Sequence, residues 1–417
     1  LIWNKDKEET SSFVSAHICH LPEVEKLEYY SQLGLKTHWW GVVKTFAKHN
    51  RYLHSVGAMR VADKWHETIS SQTPYKKGMS KESEQELLRV AMLLHDYGHL
   101  PFSHLFEEIF DELNWPPPPD MQRPWHEVLT REKIDQLFKA PLVDEKISVN
   151  QCLANAGLTQ ADVFQLIDGC SGRPYLDAIV NSPIDADKID YIFRDITFIN
   201  KFHDDPNMRP GGVSPLDPDG WLEEFLEEQE MSPEGYIRLN GRSAMKAFEL
   251  LETRRNLYLD FYIAPELRVM ERITAFVLVT YLTHFLAEDL QADIMAVDQF
   301  NYDHGSHKVH LASRRVLEKY RGYLEGQSSF REGALLKGLL DELIAHRDEM
   351  DETLVKVLEA FDTLLKEFPK DKDDKPFGHR LHKLYGELLV AGPYYTTVTN
   401  EKVLREIVRE LTLLHQG

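Results

Sequence analysis

The apolar residues of this chain recur with a helical period almost throughout. Positions three and four apart carry the hydrophobic side chains over 43–67, 83–97, 126–139, 243–263, 267–288 and 331–367, and again in a last amphipathic stretch at 402–415. Runs with β-propensity, such as Val309–Leu311 and Tyr394–Val398, are too short and too few to build a main sheet. The predicted fold class is all-α.

Breaks in the pattern divide the helices into blocks. Pro116–Pro119 cannot continue a helix and marks a loop. The stretch Asp204–Gly220, rich in Pro, Gly and Asp, reads as a long surface loop of the kind that serves as a lid or an interface. The charge run Lys370–Lys375 reads as a solvated linker. There is no internal repeat. We expect a principal domain over 1–290 and a helical extension, regulatory or oligomerising, over 291–417.

Composition narrows the class. Hydrophobic residues make up 42% of the 417 positions and charged residues 28%, the balance of a soluble globular protein rather than a disordered one. No uninterrupted apolar run is long enough to span a bilayer, which predicts no membrane partner. A formal charge of −20 argues against a grip on extended nucleic acid, although a local basic pocket for a small anion is compatible with it. Cys19, Cys152 and Cys170 are odd in number and form no CxxC pair, so neither a disulfide framework nor a cysteine zinc site is expected. A reducing, cytoplasmic setting fits best. The chain opens at Leu1 rather than Met, as if its start had been trimmed, and it shows no signal-peptide pattern.

The chemistry concentrates between about 38 and 195, where many of the 19 histidines lie. The helical run Leu87–Leu94 ends in His95-Asp96-Tyr-Gly98-His99-Leu-Pro101. Gly98 and Pro101 stop the helix there, so His95 and Asp96 stand at its end, where side chains can turn into a cleft. An imidazole beside a carboxylate suits Mn, Fe, Zn or Mg. An isolated His-Asp pair is also what a buried, hydrogen-bonded histidine and a loop-capping aspartate look like. Two further segments alter that balance. Upstream, Arg51-Tyr-Leu-His54-Ser-Val-Gly57 opens a helix whose Gly57, Ala58 and Ala62 would let another helix approach closely. Downstream, Asp187, Tyr191 and Asp195 are spaced i, i+4, i+8 on one helical face, with Ile189, Ile192, Phe193 and Ile196 as the core stripe. Such a polar face is ordinarily just solvated. Here Lys188 and Tyr191 accompany the acids, as a phosphate ester and a sugar would require.

The order His54, His95-Asp96, Asp187 resembles the HD superfamily of metal phosphohydrolases. The finer wording is similar to its deoxynucleoside triphosphate triphosphohydrolase branch. Four stretches carry the resemblance: RYLHSVG (51–57), LLHDYGHLPFSHLFE (93–107), WHE (125–127) and DADKIDYIFRD (185–195). Arg254-x-x-Leu257-Tyr258-x-x-x-Tyr262 is similar to that family's helix over the nucleotide. The resemblance implies an HD-domain helical bundle with a helical C-terminal extension, holding one divalent metal ion on His54, His95, Asp96 and Asp187. It implies phosphate contacts from Arg51, His99, His126, Lys188 and Arg254, with His104 and Glu107 as an acid/base pair. Tyr191, Asp195 and Tyr262 would hold the sugar, and Gln32 and Leu33 would touch the base and sugar edge. Homo-oligomers are common in the resembled family.

The resemblance is incomplete. In the segment where regulated members bind nucleotide activators, Glu25 and Glu28 stand where Gln and Arg would be expected. Carboxylates there repel a triphosphate, so control by another ligand or a regulatory partner is an alternative. Three functions follow. The first is hydrolysis of dNTPs to deoxynucleoside and inorganic triphosphate. The second is hydrolysis of another nucleotide or signalling nucleotide. The third is a nucleotide-sensing scaffold.

Overall fold

The computed structural model describes residues 13–34, 50–72, 79–113, 115–117, 123–140, 148–202, 218–262, 265–296, 309, 311–318, 331–350 and 352–367. The expected elements at 370–375, 394–398 and 402–415, and most of the 204–220 loop, lie outside these residues. In chain order the helices are α1 (Phe13–Cys19), α2 (Pro22–Glu25), α3 (Arg51–Ser70), α4 (Lys81–Leu94), α5 (Leu105–Glu112), α6 (Trp125–Lys139), α7 (Val149–Asn155), α8 (Gln160–Ile167), α9 (Pro174–Val180), α10 (Ala186–Phe202), α11 (Pro218–Glu227), α12 (Gly241–Leu257), α13 (Pro265–Ala296), α14 (Arg331–Ala345) and α15 (Glu352–Glu367). The sheet they include is one hairpin, β1 (Gln229–Met231) antiparallel to β2 (Ile237–Leu239). The all-α expectation is met. Among the described residues no helix is long and apolar enough to cross a membrane.

Side-chain caps set several helix starts. Asn50 accepts a hydrogen bond from the Leu53 backbone N–H at 2.9 Å, and Ser80 accepts one from Ser83 at 3.1 Å. Each satisfies an orphan donor of a first turn. At α8, Thr159 and Asp162 form a reciprocal capping box.

The chain divides into two compact units. The first comprises Leu1–Glu28, Lys48–His99 and His126–Phe261. Within it α3 packs against both α4 and α10. The contact with α10 depends on Gly57, because a Cβ there would lie 2.0 Å from Asp190 Oδ1 and 2.2 Å from Arg194 Nη2. Gly57 thus does what the sequence predicts, and Ala58 and Ala62 are buried on the same helix. Ile189, Ile192, Phe193 and Ile196 are buried as the expected stripe.

The second unit comprises Tyr29–Ala47, Leu100–Trp125 and Tyr262–Gly417. Its core includes a cluster of Phe106, Phe110, Trp115 and Trp125, with the Trp125 indole donating to the Trp115 carbonyl at 2.7 Å. The acids of α5 face arginines of α13. Arg268 donates to Glu108 at 3.1 Å and to Glu271 at 2.7 Å, and Arg272 donates to Glu112 at 2.9 Å. Helix α13 runs through residue 290, the expected domain boundary, so the division at 290 stands as our proposal only.

Three expectations change in detail. The helix expected over 331–367 is two helices, α14 and α15. Between them a polar stretch offers no apolar face to bury, and Arg347–Glu349 forms a 3-10 turn before an extended Met350. This lets Leu336, Leu339, Leu343, Leu358 and Phe361 bury themselves as the two helices pack together. The β-prone residues Val309 and Leu311 are helical. The helix over 243–263 is α-helical only to Leu257, then turns into a π-helical segment over Tyr258–Tyr262.

Candidate metal centre

The first unit gathers His54, His95, Asp96 and Asp187 from three places: the first turn of α3, the end of α4 and the first turn of α10. His54 Nε2 lies 3.0 Å from Asp187 Oδ1 and 3.6 Å from Asp96 Oδ2. His95 Nε2 lies 3.6 Å from both Asp96 Oδ1 and Asp187 Oδ1. The two rings stand edge to face, with centroids 5.3 Å apart.

The donor set fits a divalent cation. Both Nε2 atoms are buried without a hydrogen bond of acceptable geometry. Each ring is held from behind through Nδ1: His54 by Asp190 Oδ2 at 2.7 Å, His95 by the Met92 carbonyl at 2.7 Å. An acceptor on Nδ1 fixes the tautomer that leaves Nε2 with a lone pair for a metal. Two neutral imidazoles and two carboxylates form the mixed N/O set of hard or borderline ions.

The electrostatics show the mutual dependence of these groups. Burial alone would lower the His54 pKa, but Asp187 and Asp190 outweigh it and raise it to about 10. His95 is raised in the same way by Asp96 and Asp187. Burial would raise the Asp96 carboxyl, but His95, Arg51 and His99 hold it well below the usual carboxylate range. Asp187 is lowered against its burial by His54 and His95.

Asp190 was not singled out by sequence. It is fully buried and receives both Arg194 Nε at 2.9 Å and Arg194 Nη2 at 2.8 Å, besides its contact with His54. It is thus a carboxylate that holds the His54 ring, itself held by a bidentate arginine. The one sequence feature beside it is Arg194 four residues on, a helical ion-pair spacing that does not say which side Asp190 faces.

The other predicted residues divide by unit. In the first, Arg51 is buried and paired with Asp96, and His99 Nε2 lies 3.4 Å from Asp96 Oδ1. His126 stacks on His99, with centroids 4.6 Å apart. Lys188 pairs with the buried Asp185, whose oxygen also accepts from the Lys188 backbone N–H at 2.8 Å. Tyr191 hydrogen-bonds Arg254, and burial pushes its hydroxyl pKa above the ordinary value. Asp195 is buried. In the second unit, His104 Nδ1 lies 3.5 Å from Glu107 Oε2, on an imidazole that is 66% exposed. The two residues before it, Phe102 and Ser103, have φ of 67° and 54°, a left-handed backbone that residues with a Cβ seldom adopt and that recurs at functional sites. Leu33 is buried, Gln32 and Tyr262 half-buried, all three in that unit.

Helix α6 clamps the loop that follows His95-Asp96. Thr130 Oγ1 accepts from the Gly98 backbone N–H at 2.8 Å, and Lys133 Nζ donates to the carbonyls of Tyr97 and Gly98 at 3.3 and 3.4 Å. A Cβ at Gly98 would lie 2.2 Å from the Thr130 backbone nitrogen and 2.3 Å from the His126 carbonyl, and neither backbone atom can swing away. Gly98→Ala is therefore expected to destabilise the chain by about 1–3 kcal/mol or more, read as a lowered denaturation midpoint. Lys133 has no carboxylate partner among the described residues, and burial lowers its pKa from 10.5 to about 8. Between those values the unfolded chain holds a proton that the folded chain has released, so stability rises with pH. Lys133→Met should be relatively more stable than the wild type at pH 7, and that advantage should shrink as pH rises through 8 toward 10. Denaturant unfolding at two pH values reads this out.

Comparison with known proteins agrees with this geometry. Residues 51–192 match the HD domain, and the match supports a metal-dependent hydrolase. An uncharacterized protein of Bacillus subtilis, YwfO, is 33% identical over 177 residues, 42% of this chain and 34% of that protein. The deoxynucleoside triphosphate triphosphohydrolase SAMHD1 homolog of Dictyostelium discoideum is 30% identical over 162 residues, 37% of this chain and 28% of that protein. The matched segments thus span about a third of these relatives' lengths. A crystal structure of a phosphohydrolase from Bacteroides thetaiotaomicron shares the fold, with a TM-score of 0.51 at 17% identity, covering 83% of this chain and 71% of that one.

Proposed function

We propose that this protein hydrolyses deoxynucleoside triphosphates to deoxynucleoside and inorganic triphosphate. The observation that carries the reading is the polar strip leading away from the metal ligands: Asp187, Tyr191 and Asp195 on one face of α10, with Arg254 of α12 bonded to Tyr191. A general phosphatase needs a metal and little else, whereas this strip offers hydroxyl, carboxylate and guanidinium groups suited to a sugar and a phosphate chain. The relatives named as deoxynucleoside triphosphate triphosphohydrolases support it.

A bound divalent ion would polarise a phosphoryl oxygen and make hydroxide available at neutral pH. His54, His95, Asp96 and Asp187 would hold it. Arg51 and His99 flank Asp96, and each can turn a donor toward phosphate oxygens as charge builds on them. Lys188, released from Asp185, adds a further cation. The acid/base role of His104 with Glu107, and the base and sugar contacts of Gln32, Leu33 and Tyr262, rest on the family resemblance.

The second reading, another nucleotide as substrate, is favoured by Glu25 and Glu28. Incubating the protein with each dNTP and Mn²⁺ or Mg²⁺ separates the two by ion chromatography. Tripolyphosphate is the expected product; orthophosphate or pyrophosphate in its place refutes the triphosphohydrolase reading. We further propose that the protein acts as a homo-oligomer, with a regulatory ligand or partner other than the family's nucleotide activator.

A further inference from the structure

Helix α4 ends in the candidate metal centre, and its last carbonyls have no partner within the helix. Two tight turns carry the chain onward, with the Tyr97 N–H donating to the Leu94 carbonyl at 3.1 Å and the His99 N–H to the Asp96 carbonyl at 3.2 Å. The peptide groups on both sides of Asp96 then turn to α6. Thr130 Oγ1 donates to the His95 carbonyl at 3.4 Å and accepts from the Gly98 N–H at 2.8 Å. Lys133 Nζ donates to the carbonyls of Tyr97 and Gly98, and lies 5.8 Å from the centre of the Tyr97 ring.

These contacts come from one face of α6. His126, Thr130 and Lys133 are spaced i, i+4, i+7, and His126 stacks on His99. The face thus meets every residue of the loop from 95 to 99 except Asp96. Asp96 is left to point its carboxylate the other way, at Arg51, His54 and His99.

Lys133 is an expensive residue for the fold. Its ammonium is withdrawn from water, it meets no carboxylate among the described residues, and its hydrogen bonds are long. Its one favourable setting is the negative end of the α4 dipole. A methionine of the same length would fill the space without the cost of burying a charge. Residues that break a local rule at a net cost to stability concentrate where function needs them.

We propose that Thr130 and Lys133 are positioning residues for the metal centre, holding the backbone on both sides of Asp96 so that its carboxylate stands beside His54 and His95. The proposal rests on the assignment of the four metal ligands and is independent of which nucleotide is the substrate.

The test is a titration of the metal-free full chain with Mn²⁺, and separately with Zn²⁺, against a chelating dye of known affinity. Denaturant unfolding of the same metal-free proteins at pH 7 runs beside it. Lys133→Met should bind the ion about tenfold more weakly, the smaller end of what losing an outer partner costs a metal site. It should unfold at no lower denaturant concentration than the wild type. Affinity and stability therefore part company, which a residue that only held the fold together would not allow. Thr130→Val, which keeps the shape and loses the hydroxyl, should weaken binding by a similar factor, and Thr130→Ser should restore it. A wild type that binds the ion while Lys133→Met binds it equally well overturns the proposal alone. So does a Lys133→Met protein that loses affinity and stability together, or a Thr130→Ser variant as weak as Thr130→Val. A wild type that takes up neither ion overturns the metal centre itself, and this proposal with it.

Discussion

Replacing His95 with alanine is expected to abolish metal-dependent hydrolysis, by several orders of magnitude, while leaving the helical content intact. The Nε2 atom points at Asp96 and Asp187 and makes no hydrogen bond there, so the fold loses little when it goes. Its other nitrogen contacts only the Met92 carbonyl of the turn before it. What disappears is a ligand position, and with it the means of making hydroxide at neutral pH. Asp96→Ala should be equally inactive but less informative, because it also removes the carboxylate paired with the buried Arg51 guanidinium. Breaking a buried pair by removing one partner costs about 3–5 kcal/mol. Metal content of the purified variant, measured beside phosphate release, distinguishes loss of the ion from loss of the fold. A His95→Ala protein that keeps both its metal and its activity would refute the assignment of the centre.

The second large effect is expected at Asp190, a residue that touches neither metal nor substrate. Asp190→Asn keeps the shape and one acceptor oxygen but loses the charge that faces both His54 Nδ1 and Arg194. Changes of this kind behind a ligand histidine weaken metal affinity by about 10–100-fold. They also remove the carboxylate charge that Arg194 grips through two nitrogens, so a stability loss of about 3–5 kcal/mol accompanies the weaker binding. Competition of the variant against a chelator of known affinity measures the first effect and denaturant unfolding the second. Arg194→Lys should reproduce part of both, since lysine offers a point charge in place of the bidentate fork. Wild-type metal affinity in Asp190→Asn would show that His54 needs no orienting carboxylate.

These two expectations differ in how they could be reached. The four candidate ligands were reached from the sequence through its resemblance to the HD superfamily, and each also sits at a local feature. His95 and Asp96 are adjacent at a helix end marked by Gly98 and Pro101, and His54 and Asp187 open helices of clear period. Asp190 was not legible, because on a helical wheel it lies between the polar face and the core stripe, and which of these it joins depends on the helix packed against it. The split of 331–367 into α14 and α15 was missed for a related reason: apolar spacing continues across the break, and only the burial of Leu339 against its neighbours shows that the chain has folded back.

The sequence by itself determined the all-α class and the ends of the helices that bear chemistry. Each of these follows from side-chain type and spacing within one or two turns. Tertiary structure alone decided what stands behind the ligands and what faces outward. Asp190 and Arg194 closing on His54 across Gly57, the α6 clamp on the loop after Asp96, and the outward turn of Met245, Phe248 and Leu251 all depend on which helices lie side by side. That choice is made by long-range packing, where a missing Cβ at Gly57 or Gly98 sets how closely two segments can approach. Periodicity along a single strand of residues carries no record of it.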